Sequence, residues 1–192
     1  MKKINNKGFT LIEMLVSLGI IALLSTMILA NYRDSTRANS LNLAAQQLIS
    51  DIRSAQNNTL GSTPYNNQTS QGGWGIHFEK GANNYVIFAD LNENKIYGPT
   101  EEGNVDYGAR NVILPKNIII DNIVCSTCND NVDVTFLPPD PITNIFSAVY
   151  NPTATTTSSF SATSTLVRIK DSITGKTKTV FVNFFGLIDN EN

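Results

Sequence analysis

Charge is scarce in this chain. Of its 192 residues only 14 are Lys or Arg and 16 are Asp or Glu, together 16%, against about 25% in ordinary soluble domains. The formal net charge of −2 argues against a general polyanion binder, which carries a basic excess. One histidine and two cysteines cannot supply the four Cys or His ligands of a structural zinc site. Proline is missing before Pro64, so nothing forces a break in a helix over the first third of the chain. No glycine-rich phosphate loop occurs, and the many Ser and Asp residues lack the context of a nucleophile elbow. The sole histidine, His77, falls in a strand pattern with Trp74 and Phe78, which favours a structural or surface role over a general base. Apolar residues are not scarce. At 41% they suffice for a core and exclude disorder along the whole length.

The low charge has a location. Residues 1–8 read MKKINNKG, with Lys2, Lys3 and Lys7 as their only charges. Residues 9–30 follow, with Thr10, Glu13, Ser17, Ser25 and Thr26 as their only polar members. As a helix this stretch spans roughly 33 Å, enough for a bilayer core. A buried helix of a soluble domain is the competing reading, but such helices seldom stay apolar on every side for so long. A cleaved signal peptide also competes. Its apolar run is usually shorter and ends on a small-x-small site, whereas this one ends Ile28-Leu29-Ala30. The three lysines place the N-terminus in the cytoplasm and the rest of the chain beyond the membrane.

Glu13 stands out inside the apolar run. A carboxylate near the bilayer centre costs roughly 2.5–3.5 kcal/mol on insertion scales, and less towards the edge. It either snorkels or stays protonated, or it awaits a cation within the membrane.

Lys7-Gly8-Phe9-Thr10-Leu11-Ile12-Glu13, with the basic leader before it and the apolar run after it, resembles the processing site of type IV pilins and type II secretion pseudopilins. The resemblance implies cleavage by prepilin peptidase between Gly8 and Phe9, with the leader 1–8 removed and the apolar run kept. It implies methylation of the new amino group on Phe9. It also implies that Glu13 of one subunit meets Phe9 of another during filament assembly. Attraction between ammonium and carboxylate in low dielectric would offset the desolvation of both. Implied partners are other pilin or pseudopilin subunits, prepilin peptidase, an assembly platform in the inner membrane and the lipid itself. The implied location is the inner membrane, in a single pass, with assembly into a periplasmic pseudopilus or a surface pilus.

Beyond a polar stretch at 31–40, Leu41, Ala45, Leu48, Ile52 and Ala55 recur at steps of four and three, one amphipathic helical face. Residues 31–60 thus continue the helix, and Gly61 is its expected stop. Helix from about residue 10 to 60 would be roughly 75 Å long. Residues 61–192 form the extracytoplasmic part. After a loop at 62–73 the expected strands are 74–78, 85–89, 112–114, 118–124, 132–137, 145–150, 166–170 and 179–185, short, β-branched and aromatic, and bounded by turn residues. Ser172 to Lys176 is the expected hairpin turn between the last two. The Thr/Ser tract at 153–165 is expected to be an extended hairpin or a loop. The class is α+β: one long N-terminal helix packed on a mostly antiparallel sheet. This part resembles, more loosely, H-type pseudopilins and related minor pilins, through Leu43 to Leu48, Trp74 to Phe78, Tyr85 to Asp90, Leu114-Pro115 and the final Val182 to Gly186.

Two further motifs invite chemistry. Asp90, Asn92 and Asn94, with Glu101 at the twelfth place, have the spacing of a calcium loop. Against this, Lys95 replaces the sixth-position glycine and no helices flank the loop, so an Asn/Asp-rich turn is the alternative. Cys125 and Cys128 lack the further ligands of a metal site and the helix of a thioredoxin-like motif. In an oxidising compartment they form a short disulfide or remain two thiols.

The leading functional expectation is a structural subunit that assembles. A tip-located minor pilin that binds DNA, a surface or a secreted protein is the alternative, and an enzyme is disfavoured. Loss of Lys2, Lys3 and Lys7 leaves a more acidic mature chain, which weighs against nucleic acid. Lys176 and Lys178, beside Arg168 and Lys170, are the only candidate basic tip.

Overall fold

The computed structural model describes residues 8–65, 67–98, 110–126, 128, 130–138, 142–148 and 159–191. Among the described residues one helix, α1 (Leu11–Leu60), is followed by ten strands. They are β1 (Trp74–Glu79), β2 (Asn84–Ala89), β3 (Arg110–Ile113), β4 (Ile118–Cys125), β5 (Asn131–Leu137), β6 (Ile142–Ala148), β7 (Ser159–Ala162), β8 (Ser164–Asp171), β9 (Thr177–Asn183) and β10 (Ile188–Glu191). The chain divides into two compact units, one ending at Ala38 and the other running from Asn39 to the C-terminus.

From Leu11 onwards the first unit is helix. Its large apolar side chains from Leu11 to Leu29 are exposed, Leu11 at 82% for example, and an 18-residue window reaches a mean hydropathy of 2.3. The few hydroxyls bond to their own helix. Ser17 donates to the Glu13 carbonyl at 2.6 Å, Ser25 to Ile21 at 2.7 Å and Thr26 to Leu23 at 2.8 Å. Such back-bonding satisfies a hydroxyl without water.

The second unit takes in the helix from Asn39, because burial begins on that stretch. Leu41, Ala44, Ala45, Leu48, Ile52 and Ala55 are buried, the expected stripe widened by Ala44. The helix stops at Leu60, and Gly61 N donates to the Asn57 carbonyl at 2.9 Å. The stripe packs into one core with two sheets. The larger sheet has the order β3-β2-β1-β5-β6-β7 and the smaller β10-β9-β8-β4. Every pairing is antiparallel, so the fold is α+β as the pattern implied.

Three local expectations change. The strand expected at 145–150 begins at Ile142, and residues 149–150 lie outside the described residues. The end of the Thr/Ser tract is sheet: β7 pairs with β6, Ile145 opposite Ala162, and Thr165 in β8 faces Cys125. Residues 153–158 lie outside the described residues. The turn at Ser172 to Lys176 does join two strands, with Gly175 at φ 72°, but β10 follows them. Its sequence, Ile188-Asp-Asn-Glu, carries little strand signal. Pairing of Ile188 with Val182 across the turn makes it a strand.

Both faces of β5 are buried. Val132, Val134 and Phe136 face the core, while Asp133 and Thr135 are buried on the reverse face. The loop after β2 covers that reverse face. Tyr97 stacks 4.8 Å from His77 and 5.5 Å from Phe88. Gly75 leaves room there, since a Cβ would come within 2.9 Å of the Val134 carbonyl.

Candidate functional site

The residues assigned to processing and assembly gather at the start of α1. Gly8 and Phe9 precede the first helical turn, and Phe9 is 78% exposed. Nothing lies within 4 Å of where a Gly8 side chain would begin, so packing does not demand a glycine at that position. Thr10 is the helix N-cap. Its Oγ1 accepts from Glu13 N at 3.3 Å, while Thr10 N and Thr10 Oγ1 each donate to Glu13 Oε2 at 2.9 Å. This is a reciprocal capping box. Neither charge patterning nor the resemblance gives Thr10 a role, yet the Thr10-x-x-Glu13 spacing carries the signal. Both Thr10 bonds fall on one carboxylate oxygen, and a carboxylate offers about four acceptor sites. Glu13 is therefore drawn back towards the helix N-terminus with capacity for a cation. The positive end of the helix dipole favours an anion there.

A family model, the prokaryotic N-terminal methylation motif, matches residues 3–29. The chain carries the methylation motif of type IV pilins and pseudopilins. The match covers the N-terminal part of the chain alone and runs into α1, which is long and apolar enough by length and composition to cross a membrane. No curated protein matches the chain, and no solved structure matches it.

The other motifs lie in the second unit. A disulfide joins Cys125 to Cys128, with Cα atoms 5.2 Å apart, and both residues pack against the core. His77 Nδ1 sits 2.6 Å from Oδ1 of the buried Asp133. Burial pushes the Asp133 carboxyl up, against the hydrogen bond and charge of His77 and the Tyr97 N–H. The pair lies beneath Tyr97, a packing arrangement rather than an open base.

Asp90 is fully buried and its Oδ2 accepts from Lys95 N at 2.9 Å. Asn92 Oδ1 accepts from Asn94 N at 3.1 Å and Asn94 Oδ1 from Ile96 N at 2.8 Å. The structure thus brings three of the four loop residues into one turn, while Glu101 lies outside the described residues. Lys95 adopts φ 64°, the left-handed backbone for which a glycine is the usual choice.

At the expected basic tip, Asp121 intervenes. It pairs with Arg168 at 2.7 Å and Lys170 at 3.4 Å. Burial pushes its carboxyl up, but the Arg168 hydrogen bond and the two cations outweigh this and hold it below the usual carboxylate range. The tip is correspondingly less basic than its sequence.

Proposed function

We propose that this chain is a subunit of a type IV pilus or a type II secretion pseudopilus. Prepilin peptidase cuts between Gly8 and Phe9, and Phe9 receives the methyl group. The mature chain joins a filament through helix 9–30, where Glu13 pairs with the N-terminus of a neighbour. The observation that carries this reading is the Thr10–Glu13 cap within the methylation motif. It supports a carboxylate held one turn from the future amine, beside an exposed Gly8-Phe9 bond that needs no glycine for folding. Pairing of the two charges offsets the desolvation of each, so an unpaired subunit is poorly tolerated in the packed filament.

A tip-located minor pilin is the second reading. Exposed Phe184, Phe185 and Leu187 in the β9–β10 turn favour contact with a protein or surface over DNA, since apolar side chains offer phosphate no charge.

The test uses Glu13→Leu and mass spectrometry of the assembled subunit. The wild-type chain starts at Phe9 and carries one methyl group. Glu13→Leu inserts into the membrane normally but enters filaments at least tenfold less. Undiminished incorporation would remove Glu13 from the mechanism, and an intact residue 1–8 leader on assembled chains would refute the cleavage assignment.

A further inference from the structure

The loop after β2 holds a buried carboxylate whose needs are only half met. The main chain of Asp90 is tied down: its N–H donates to the Gly73 carbonyl at 2.9 Å, and its carbonyl accepts from Gly72 N at 3.1 Å and Ser70 Oγ at 3.0 Å. The carboxylate then turns into the loop, where the N–H groups of Lys95, Glu93 and Asn94 converge on it. Lys95 occupies Oδ2. Oδ1 is buried and has no hydrogen-bond partner. Among the described residues no ion pair involves Asp90. Lys95 instead places its ammonium 5.9 Å from the centre of the Phe146 ring. A buried carboxylate oxygen without a donor or a cation is costly.

The surroundings suit a hard cation. Asn92 and Asn94 follow at alternate positions, are exposed, and carry amide oxygens. Each oxygen accepts one backbone N–H within the loop, and an amide oxygen is a two-lone-pair acceptor of the kind calcium takes. The hydrogen bond from the sixth residue, Lys95, back to the first, Asp90, closes the loop in the way a twelve-residue calcium loop closes on its sixth-position glycine. Lys95 reaches the required backbone without being glycine, at φ 64°, which answers the objection from the missing glycine; the loop is led in by strand β2 rather than by a helix.

We propose that residues 90–96 form a calcium site, in which Asp90 Oδ1, the side-chain oxygens of Asn92 and Asn94, the Ile96 carbonyl and water hold the ion. Calcium accepts six to eight oxygen ligands in irregular geometry, whereas magnesium demands a near-ideal octahedron. A loop whose donors are one carboxylate, amides and a carbonyl therefore suits calcium better than magnesium. One carboxylate among the donors gives weak binding, with a Kd on the order of 10⁻⁴–10⁻³ M, the range of extracellular modules. Binding relieves Asp90 and fixes the loop that lays Tyr97 over His77 and Phe88. The site is independent of the pilin-like reading, because none of its residues lies in the N-terminal helix.

The test uses the full-length protein in detergent, stripped of divalent ions by chelation. Calcium and magnesium chloride are titrated separately by calorimetry, and thermal unfolding is recorded with each. Wild type binds one calcium per chain and unfolds at a higher temperature with saturating calcium, with at least a tenfold weaker response to magnesium. Asp90→Asn keeps an acceptor for the loop N–H groups, so it folds, yet loses calcium affinity by more than tenfold. Asn94→Ala, at an exposed position, loses several-fold and serves if Asp90→Asn does not fold. No calcium heat at millimolar concentration, equal heat with magnesium, or wild-type affinity in the variants would each overturn the site.

Discussion

Asp51 ties the helix to the larger sheet, and its removal is the sharpest test of how the second unit is held together. It lies on the buried half of α1, with its side chain 13% exposed. Oδ2 accepts from the Tyr85 hydroxyl at 2.6 Å and Oδ1 from Arg110 Nη2 at 2.9 Å. The two bonds differ in weight. Arg110 is 63% exposed, and an exposed ion pair contributes about 0–1 kcal/mol after solvent screening. Tyr85 is 2% exposed. A hydrogen bond from a neutral donor to a charged acceptor contributes about 1.5–3 kcal/mol, and deleting the acceptor strands a buried hydroxyl. Alanine is the better helix former by roughly 0.5 kcal/mol, which acts in the opposite direction. Asp51→Ala should therefore destabilise the protein by about 2–3 kcal/mol. Tyr85→Phe should cost only about 1 kcal/mol, since Asp51 keeps Arg110 and some access to water. Combining the two should cost less than their sum by about 1–2 kcal/mol, the signature of a shared bond. Chemical denaturation of wild type, both single variants and the double variant measures this cycle. A loss below about 0.5 kcal/mol for Asp51→Ala, or additive losses across the cycle, would refute the assignment of Asp51 as the polar anchor.

Two more predictions concern the second unit. Burial, then the hydrogen bond and charge of Asp51, push the Tyr85 phenol upwards. Its folded form holds the proton where the unfolded form loses it, so its contribution is whole below about pH 10 and falls as pH rises beyond that. Stability measured between pH 9 and 11 should drop in wild type and drop less in Tyr85→Phe; identical slopes would contradict the burial. The Cys125–Cys128 bridge closes a loop of only a few residues, so reduction or Cys125→Ser should cost no more than about 2 kcal/mol, read as a small shift in denaturant midpoint. Failure to fold in that variant would show the bridge holds more than its local turn.

Much of this architecture was legible before the fold, and the reason is periodicity. Leu41, Ala45, Leu48, Ile52 and Ala55 announced a helical face, and all are buried. Trp74 to Phe78 and Tyr85 to Ala89 announced strands, and they pair with each other through Gly75 opposite Phe88. The signals failed where pairing is the cause of structure rather than its consequence. Ser159–Ala162 and Ile188–Glu191 are polar and short, and they are strands because β6 and β9 present them with an edge. Charge was misleading for a related reason. Arg168 and Lys170 look like a basic tip in one dimension, but Asp121 comes from β4, a strand distant in sequence.

By itself the sequence determined the anchor and the class. A 22-residue run with one acid needs no partner segment to declare its preference for lipid, because hydrophobic transfer is a property of the side chains alone. The methylation motif is likewise contiguous, and matches residues 3–29 as a linear pattern. Tertiary structure decided how polar groups are satisfied. It set Asp51 between Tyr85 and Arg110, and enclosed Asp90 with one oxygen unpartnered. Hydrogen bonds depend on direction and distance between groups that only folding brings together. Composition can count such groups, but only the folded chain assigns their partners.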